Sequence, residues 1–169
     1  DKCTLSKENF EVTKAEIEEA YTQLDAHFID VMKTSAANIR AYHEKQKRNS
    51  WFDAKEDGTI LGQKITPMHS VGVYVPGGKA AYPSTTLMNV VPAKVAGVPN
   101  IIMTTPAGAD GKVNAATLVA ADIAGVDLIF KVGGAQAIAA LAYGTEMIPK
   151  VDKIVGPGNI FVALAKRAV

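Results

Sequence analysis

Three glycine-rich turns, each between a short β-branched run and a helix-like stretch, constrain this sequence most. They are Val-Pro-Gly-Gly at 75–78, Gly133-Gly134, and Gly-Pro-Gly-Asn at 156–159. Without a Cβ, glycine lets the backbone bend sharply and lets a ligand approach closely. The helix that follows offers free N–H groups and a partial positive charge, which can hold phosphate. One such turn is an ordinary connection of an α/β domain, but three together favour a nucleotide cleft.

From Ser70 onward, strand and helix patterns alternate. Strands are predicted at 71–75, 101–104, 128–132 and 153–155, and helices at 84–96, 115–124, 135–143 and from Asn159 onward. Pro92 is predicted to kink or restart the first of these helices, and Gly125 and Gly144 to end the next two. Helices of this length between strands indicate a parallel sheet with right-handed crossovers. The sequence therefore predicts four βα units over residues 70–169.

The first 49 residues are rich in charge and lack glycine. Thr13 and Glu16 have the spacing of a capping box. Apolar side chains then recur at helical spacing, which predicts a helical arm over 1–49 with a contact face outside the sheet domain: Ile17, Tyr21, Leu24 and Phe28. Asp57-Gly58 lies between two apolar pairs and predicts a β-hairpin, so residues 50–69 are interpreted as a connection.

Composition excludes several classes of protein. A net charge of +1 provides no basic surface for nucleic acid. No apolar run approaches the roughly 18 residues of a membrane span. The single cysteine, Cys3, cannot form an internal disulfide, which favours a reducing, cytoplasmic location. The last helix pattern reaches Val169 without a capping residue, which predicts a piece of a longer chain.

The sequence carries none of the common catalytic or metal-binding motifs. The sequence contains neither Gly-x-Gly-x-x-Gly nor the P-loop pattern, and it has no nucleophile elbow. Its histidines, His27, His43 and His69, stand far from any second ligand at metal spacing. No catalytic residue and no metal ligand is therefore predicted in this chain.

Three long blocks, at 72–89, 132–146 and 149–162, resemble the histidinol dehydrogenase family in order and spacing. The resemblance implies an incomplete Rossmann-like three-layer α/β/α domain with a parallel sheet, preceded by the helical arm and the hairpin. It also implies the oxidation of L-histidinol to L-histidine through the aldehyde, with NAD and zinc as cofactors, by a homodimer. The family's zinc ligands and catalytic residues follow the last block, so this chain is expected to carry the NAD-binding part and to be inactive alone.

The resemblance also implies three NAD contacts: Tyr74, Gln136 and Asn159. Each has an alternative interpretation from its own surroundings. Tyr74 can stack on a base or ribose, or it can be a half-buried strand aromatic. Gln136 can bind a ligand or satisfy a free N–H at a helix start, and Asn159 can be a plain N-cap. A non-catalytic nucleotide-binding module and a dimerisation module stay open as alternative functions.

Overall fold

A computed structural model describes residues 6–77 and 81–169; Cys3 and the predicted turn residue Gly78 lie outside these ranges. The described part forms two helices, a hairpin and then four alternating strands and helices. In chain order the elements are α1 (Lys14–Thr22), α2 (Ala26–Glu44), β1 (Trp51–Ala54), β2 (Ile60–Gln63), β3 (Ser70–Tyr74), α3 (Pro83–Val95), β4 (Asn100–Thr104), α4 (Ala115–Ala124), β5 (Leu128–Phe130), α5 (Gly134–Tyr143), β6 (Lys153–Val155) and α6 (Ile160–Ala168).

Strands β3 to β6 form a parallel sheet in the order β5-β4-β3-β6. Because all four strands run the same way, their carboxyl ends lie at one edge, where Tyr74 is level with Thr104 and Phe130. The chain adds β4 and β5 on one side of β3 and then crosses back to place β6 on the other side. This reversal places a topological switch point, called the crevice below, between the carboxyl ends of β3 and β6. Open α/β sheets bind ligands at such a point.

Alternating side chains of the strands pack into separate cores on the two faces of the sheet. On one face, Val71 and Val73 pack with buried residues of α3 and α4, among them Val90 and Val119. On the other face, Ile102 and Phe130 pack with Leu141 of α5. The predicted three-layer α/β/α fold with a parallel sheet is therefore confirmed.

Several predicted boundaries agree with the structure, and two differ. Helix α4 ends at Gly125, whose φ of 88° is left-handed, as the glycine predicted. Strand β5 stops at Phe130 instead of Val132, because the N–H of Val132 bends back to donate to the carbonyl of Phe130. Helix α3 runs through Pro92 without restarting, since the residues around Pro92 in its last turn are buried in the core.

The N-terminal helices pack on the domain's own core. Helix α1 lies against α4, and α2 lies against α3 and α4. The predicted contact face outside the domain is therefore wrong for Ile17, Tyr21 and Leu24, which pack on the core cluster. Helical periodicity showed that these side chains share a face, but it carried no information about the surface that covers them. The division of the chain at 49/50 and 69/70 stays a prediction.

Other local signals are reproduced. Thr13 and Glu16 form the predicted capping box, and β1 and β2 pair antiparallel around Asp57-Gly58. Within the described residues, no helix is both long and apolar enough to span a bilayer. The cytoplasmic location inferred from Cys3 stays a prediction.

The hydrogen bond between Tyr21 and Asp122 joins α1 to α4 and makes the stability of the fold fall at alkaline pH. The phenol donates to the Asp122 carboxylate at 2.7 Å. Burial, then this hydrogen bond and the carboxylate charge, raise the pKa of Tyr21 to about 12 from 10.0. Because the pKa of Tyr21 is raised in the folded state, the tyrosine stabilises the fold fully below pH 10. This stabilisation is lost as pH rises through about 12.

We therefore expect one tyrosine to ionise later than the others in an absorbance titration at alkaline pH. The Tyr21→Phe variant should lack this late step and should lose less stability between pH 10 and 12. Tyr42→Phe, at an exposed position on α2, is the matched control and should keep the late step. Loss of the late step in Tyr42→Phe instead would contradict the assignment.

Candidate functional site

Pro106, just after β4, holds two of the glycine turns together at the carboxyl edge of the sheet. A Cβ on Gly77 would lie 2.8 Å from the Pro106 ring, and a Cβ on Gly133 would lie 2.7 Å from it. Both distances are shorter than real Cβ contacts, so only glycine allows the loops after β3 and β5 to approach this ring. Sequence reasoning missed Pro106, although a Thr-Thr-Pro run directly after a buried strand was a usable signal.

Tyr74 is buried at the crevice, with 4% of its surface exposed. Its ring packs with Ala137 and Ile138 of α5 and with Val162 of α6. Its hydroxyl accepts the N–H of Gly134 at 3.2 Å, which keeps the hydroxyl hydrogen available to donate. The stacking of this ring on a base or ribose does not fit such burial, because both helices cover the ring. Contact of the hydroxyl with NAD stays a prediction.

The turn after β6 presses directly on the end of β3. Gly156 has φ of 102°, and a Cβ there would lie 2.0 Å from the carbonyl oxygen of Tyr74. Lys166 of α6 donates to the carbonyl of Gly156, and burial lowers the pKa of this lysine. The glycine and the lysine together hold the β6 turn against the crevice.

The start of α5 is open to a ligand. Its N-cap is Gly133, which has no side chain to cap the helix, and the Tyr74 hydroxyl accepts only the first N–H, that of Gly134. Gln136 is exposed in the first turn, and its carboxamide lies over Gly134: a Cβ on that glycine would be 2.8 Å from the Gln136 oxygen. Unsatisfied N–H groups at a helix N-terminus favour an anion, and a carboxamide beside them can donate or accept.

Asn159 is the N-cap of α6. Its Oδ1 accepts the N–H groups of Phe161 and Val162, each at 3.1 Å. The capping interpretation is therefore correct. It does not use the side-chain Nδ2, which has no hydrogen-bond partner among the described residues, so the same side chain can cap the helix and still donate to a ligand.

The structure brings the three predicted residues to the same edge and the same face of the sheet. Tyr74 contacts Gly134, in the turn that carries Gln136, and it contacts Val162, in the helix that Asn159 caps. Their common centre is the crevice between β3 and β6. A separate cavity of ≈ 340 Å³ lies on the opposite face, between α1, α4 and the loops after β3 and β4, and none of the three residues lines it.

A buried ion pair supports the same edge from the side. Lys131 follows β5, is 4% exposed, and donates to Glu16 of α1 at 2.5 Å. Burial raises the pKa of the Glu16 carboxyl, but hydrogen bonds from Lys131 and Thr13 outweigh this effect and leave the pKa below its usual value. Sequence reasoning missed this pair, because its members are distant in the chain and nothing local links them.

No metal centre can be assigned to the part of the chain that the structure describes. Nowhere in residues 6–77 and 81–169 do three His, Cys, Asp or Glu side chains come close enough together to hold a metal ion.

Comparison with known proteins identifies the family. The sequence profile of histidinol dehydrogenase matches residues 1–169. The chain belongs to the histidinol dehydrogenase family. A histidinol dehydrogenase of Halalkalibacterium halodurans is 63% identical over 158 residues, which make up 94% of this chain and 37% of that protein. The enzyme of Clostridium acetobutylicum is 61% identical over 169 residues, which make up 100% of this chain and 39% of that protein.

A solved structure shares the fold as well. The crystal structure of histidinol dehydrogenase from Elizabethkingia anophelis matches with a TM-score of 0.93 at 38% sequence identity. The matched region makes up 99% of this chain and 38% of the Elizabethkingia anophelis chain. The present chain thus spans less than two fifths of the length of the relatives it matches.

Proposed function

We propose that this chain is the NAD-binding part of an enzyme that oxidises L-histidinol to L-histidine through the aldehyde. The observation that supports the proposal is the junction of the carboxyl ends of β3 and β6, where Tyr74 contacts the start of α5, helix α6 and the Gly156 turn. Membership in the histidinol dehydrogenase family supplies the reaction.

The residues at the crevice fit a dinucleotide. Beyond Gly134, whose N–H is accepted by Tyr74, the start of α5 offers backbone N–H groups without an N-cap side chain, which suits a diphosphate. Gly156 lets the β6 turn lie directly against the end of β3, because a Cβ there would meet the carbonyl oxygen of Tyr74. Gln136 and the Nδ2 of Asn159 can hydrogen-bond the cofactor's hydroxyl or amide groups. Tyr74 acts as a positioning residue, since its hydroxyl orients the Gly134 turn.

When bound, NAD accepts the hydride removed from the alcohol carbon. This chain's own residues bind and orient the cofactor at the sheet edge. Removing the alcohol proton needs a base that we do not assign to any described residue. The resemblance implies zinc, but no described residues fit a zinc site.

We expect the isolated chain to bind NAD weakly and to have no histidinol-dependent turnover. A few hydrogen bonds contribute about 0.5–1.5 kcal/mol each, and ordering a long flexible cofactor offsets much of this gain. A Kd near or above about 1 mM follows. Chemical-shift titration with NAD is suited to this range, and an absorbance assay with histidinol, NAD and zinc tests turnover. Turnover by the pure chain would show that a catalytic group within it had been overlooked.

Asn159→Ser separates the two roles of that side chain. Serine keeps a capping oxygen but removes the amide donor, so thermal stability should change little. If Nδ2 contacts NAD, the Kd should rise about 2- to 10-fold, the equivalent of one hydrogen bond. Tyr42→Ser, on the outer face of α2, is the control and should leave the Kd unchanged. Equal affinity of wild type and Asn159→Ser would remove Asn159 from the site.

A homodimer belongs to the same proposal, because the resemblance implies one. Its interface cannot be formed by Ile17, Tyr21 and Leu24, since these side chains pack on the chain's own core.

A further inference from the structure

The cavity between α1, α4 and the loops after β3 and β4 combines an apolar lining with polar groups. Its volume is ≈ 340 Å³, and none of the three predicted NAD contacts lines it. The apolar lining comes from the buried side chains of Ala20, Val113 and Leu118. Ligand pockets are lined in this way, with a few convergent polar groups on an apolar surface, and their volumes start at about 300 Å³. The cavity is therefore large enough for a small metabolite.

Two buried threonines line the cavity, and their hydroxyls form no hydrogen bond with a described residue. Thr105, directly after β4, is 1% exposed, and Thr117, in the first turn of α4, is 3% exposed. Met103, two residues before Thr105, packs in the core on the α4 face of the sheet, so strand alternation places the Thr105 side chain on that face as well. Buried hydroxyls normally have a partner, so this pair indicates a polar ligand.

The start of α4 adds hydrogen-bond donors beside these hydroxyls. Oδ1 of Asn114, the N-cap, accepts the N–H groups of Ala116 at 3.0 Å and Thr117 at 3.4 Å. The N–H of Ala115 and the Nδ2 of Asn114 have no partner among the described residues, and both residues line the cavity. Free donors and the partial positive charge of a helix start favour a carboxylate.

Helix α1 contributes hydrogen-bond acceptors from the other side of the cavity. Oε1 of Glu19 accepts from Nζ of Lys112 at 2.6 Å and from Nε2 of Gln23 at 3.2 Å. This arrangement leaves Oε2 of Glu19 and Oε1 of Gln23 without a partner among the described residues. Asp110 also lines the cavity, and its carboxylate forms no ion pair within the described part of the chain. These oxygens suit an ammonium, which can only donate.

We propose that this cavity binds a free α-amino acid with an apolar side chain, a second ligand beyond the NAD of the proposed function. The ligand's carboxylate accepts from the start of α4 and from the two threonine hydroxyls. Its ammonium donates to Glu19, Gln23 and Asp110, and its side chain lies on the apolar lining. A simple anion would meet the carboxylates of the cavity, and a simple amine would leave the buried donors without an acceptor. A zwitterion satisfies both sets of groups.

A chemical-shift titration of the protein with three matched probes tests the proposal. The probes are L-leucine, L-leucinol, which lacks the carboxylate, and 4-methylpentanoate, which lacks the amine. L-Leucine should bind at least about tenfold more tightly than either analogue, because each analogue leaves one set of buried groups unpaired. The largest shifts should fall on the amides of Thr105, Ala115 and Thr117. Equal affinity for the three probes, or no saturation by L-leucine, would overturn the proposal. Shifts centred on Gln136 and Asn159 would also overturn it, because L-leucine would then occupy the NAD crevice.

Two neighbouring threonines provide a matched pair of variants. Thr105→Val removes one donor from the cavity and keeps the side-chain shape, so the Kd for L-leucine should rise about 3- to 10-fold. Thr104→Val is the control, because the Thr104 hydroxyl is fully enclosed and strand alternation places it on the α5 face. This control should leave the Kd unchanged.

A second pair of variants tests the ammonium end of the site. Glu19→Gln removes a negative charge from the cavity and should also raise the Kd for L-leucine about 3- to 10-fold. Glu18→Gln removes the same charge from an exposed position of α1 outside the cavity and should have no effect. An unchanged Kd in both Thr105→Val and Glu19→Gln would contradict the proposal. If Thr105→Val fails to fold, the comparison of Glu19→Gln with Glu18→Gln decides the matter.

Discussion

Replacing Gly156 by alanine should destabilise the protein by about 2–5 kcal/mol, a large part of the stability of a domain this size. Two costs add. The φ of 102° is unfavourable for any L side chain, at about 1–2 kcal/mol. The new Cβ would also lie 2.0 Å from the carbonyl oxygen of Tyr74, so the backbone of the β6 turn or of β3 must shift, at about 1–3 kcal/mol.

Gly111→Ala is the matched control for this prediction. Gly111 also has a positive φ, 76°, but a Cβ there meets nothing within 4 Å. It should therefore cost only the conformational part, about 1–2 kcal/mol. Urea denaturation of both variants measures the difference. Similar losses at the two positions would mean that the close approach of the β6 turn to Tyr74 contributes nothing.

Breaking the ion pair between Glu16 and Lys131 should have the second largest effect. Glu16→Gln leaves the Lys131 ammonium buried without a counter-charge, which costs about 3–5 kcal/mol at a fully buried site. Glu16 keeps some exposure to water, so we expect a smaller loss of about 2–4 kcal/mol. Glutamine can still serve in the capping box, so the loss measures the charge and not the helix cap.

Removing both charges is the control for that result. Glu16→Gln combined with Lys131→Met should regain most of the lost stability, because an apolar side chain of similar length needs no partner in the core. Thermal or urea unfolding of the two single variants and the double variant gives the coupling directly. A double variant as unstable as the sum of the singles would show that the two side chains act independently.

The same pair makes stability fall at acid pH. The Glu16 pKa is lowered in the folded state from its ordinary value of 4.5. A lowered carboxyl pKa stabilises the fold above pH 4.5, and this contribution disappears as pH falls through the folded value. The wild type should therefore lose more stability below pH 4.5 than Glu16→Gln, which has no carboxyl to titrate there.

Local sequence signals were sufficient to predict most of the helices, strands and turns of this chain. The capping box of Thr13 and Glu16, the left-handed end of α4 at Gly125 and the hairpin at Asp57-Gly58 each depend on residues a few positions apart. The alternation of strands and helices predicted the parallel sheet, and the three long blocks identified the family.

Only the tertiary structure decided how these elements meet. The strand order β5-β4-β3-β6, and with it the crevice beside Tyr74, arises from a crossover that no local pattern encodes. Three other features likewise join distant parts of the chain: the burial of the Tyr74 ring, the contact of Pro106 with two glycine turns, and the ion pair of Glu16 with Lys131. Periodicity indicates which side chains share a face, whereas packing between remote elements determines what covers that face. For this reason the sequence predicts the wrong contact surface for Ile17, Tyr21 and Leu24.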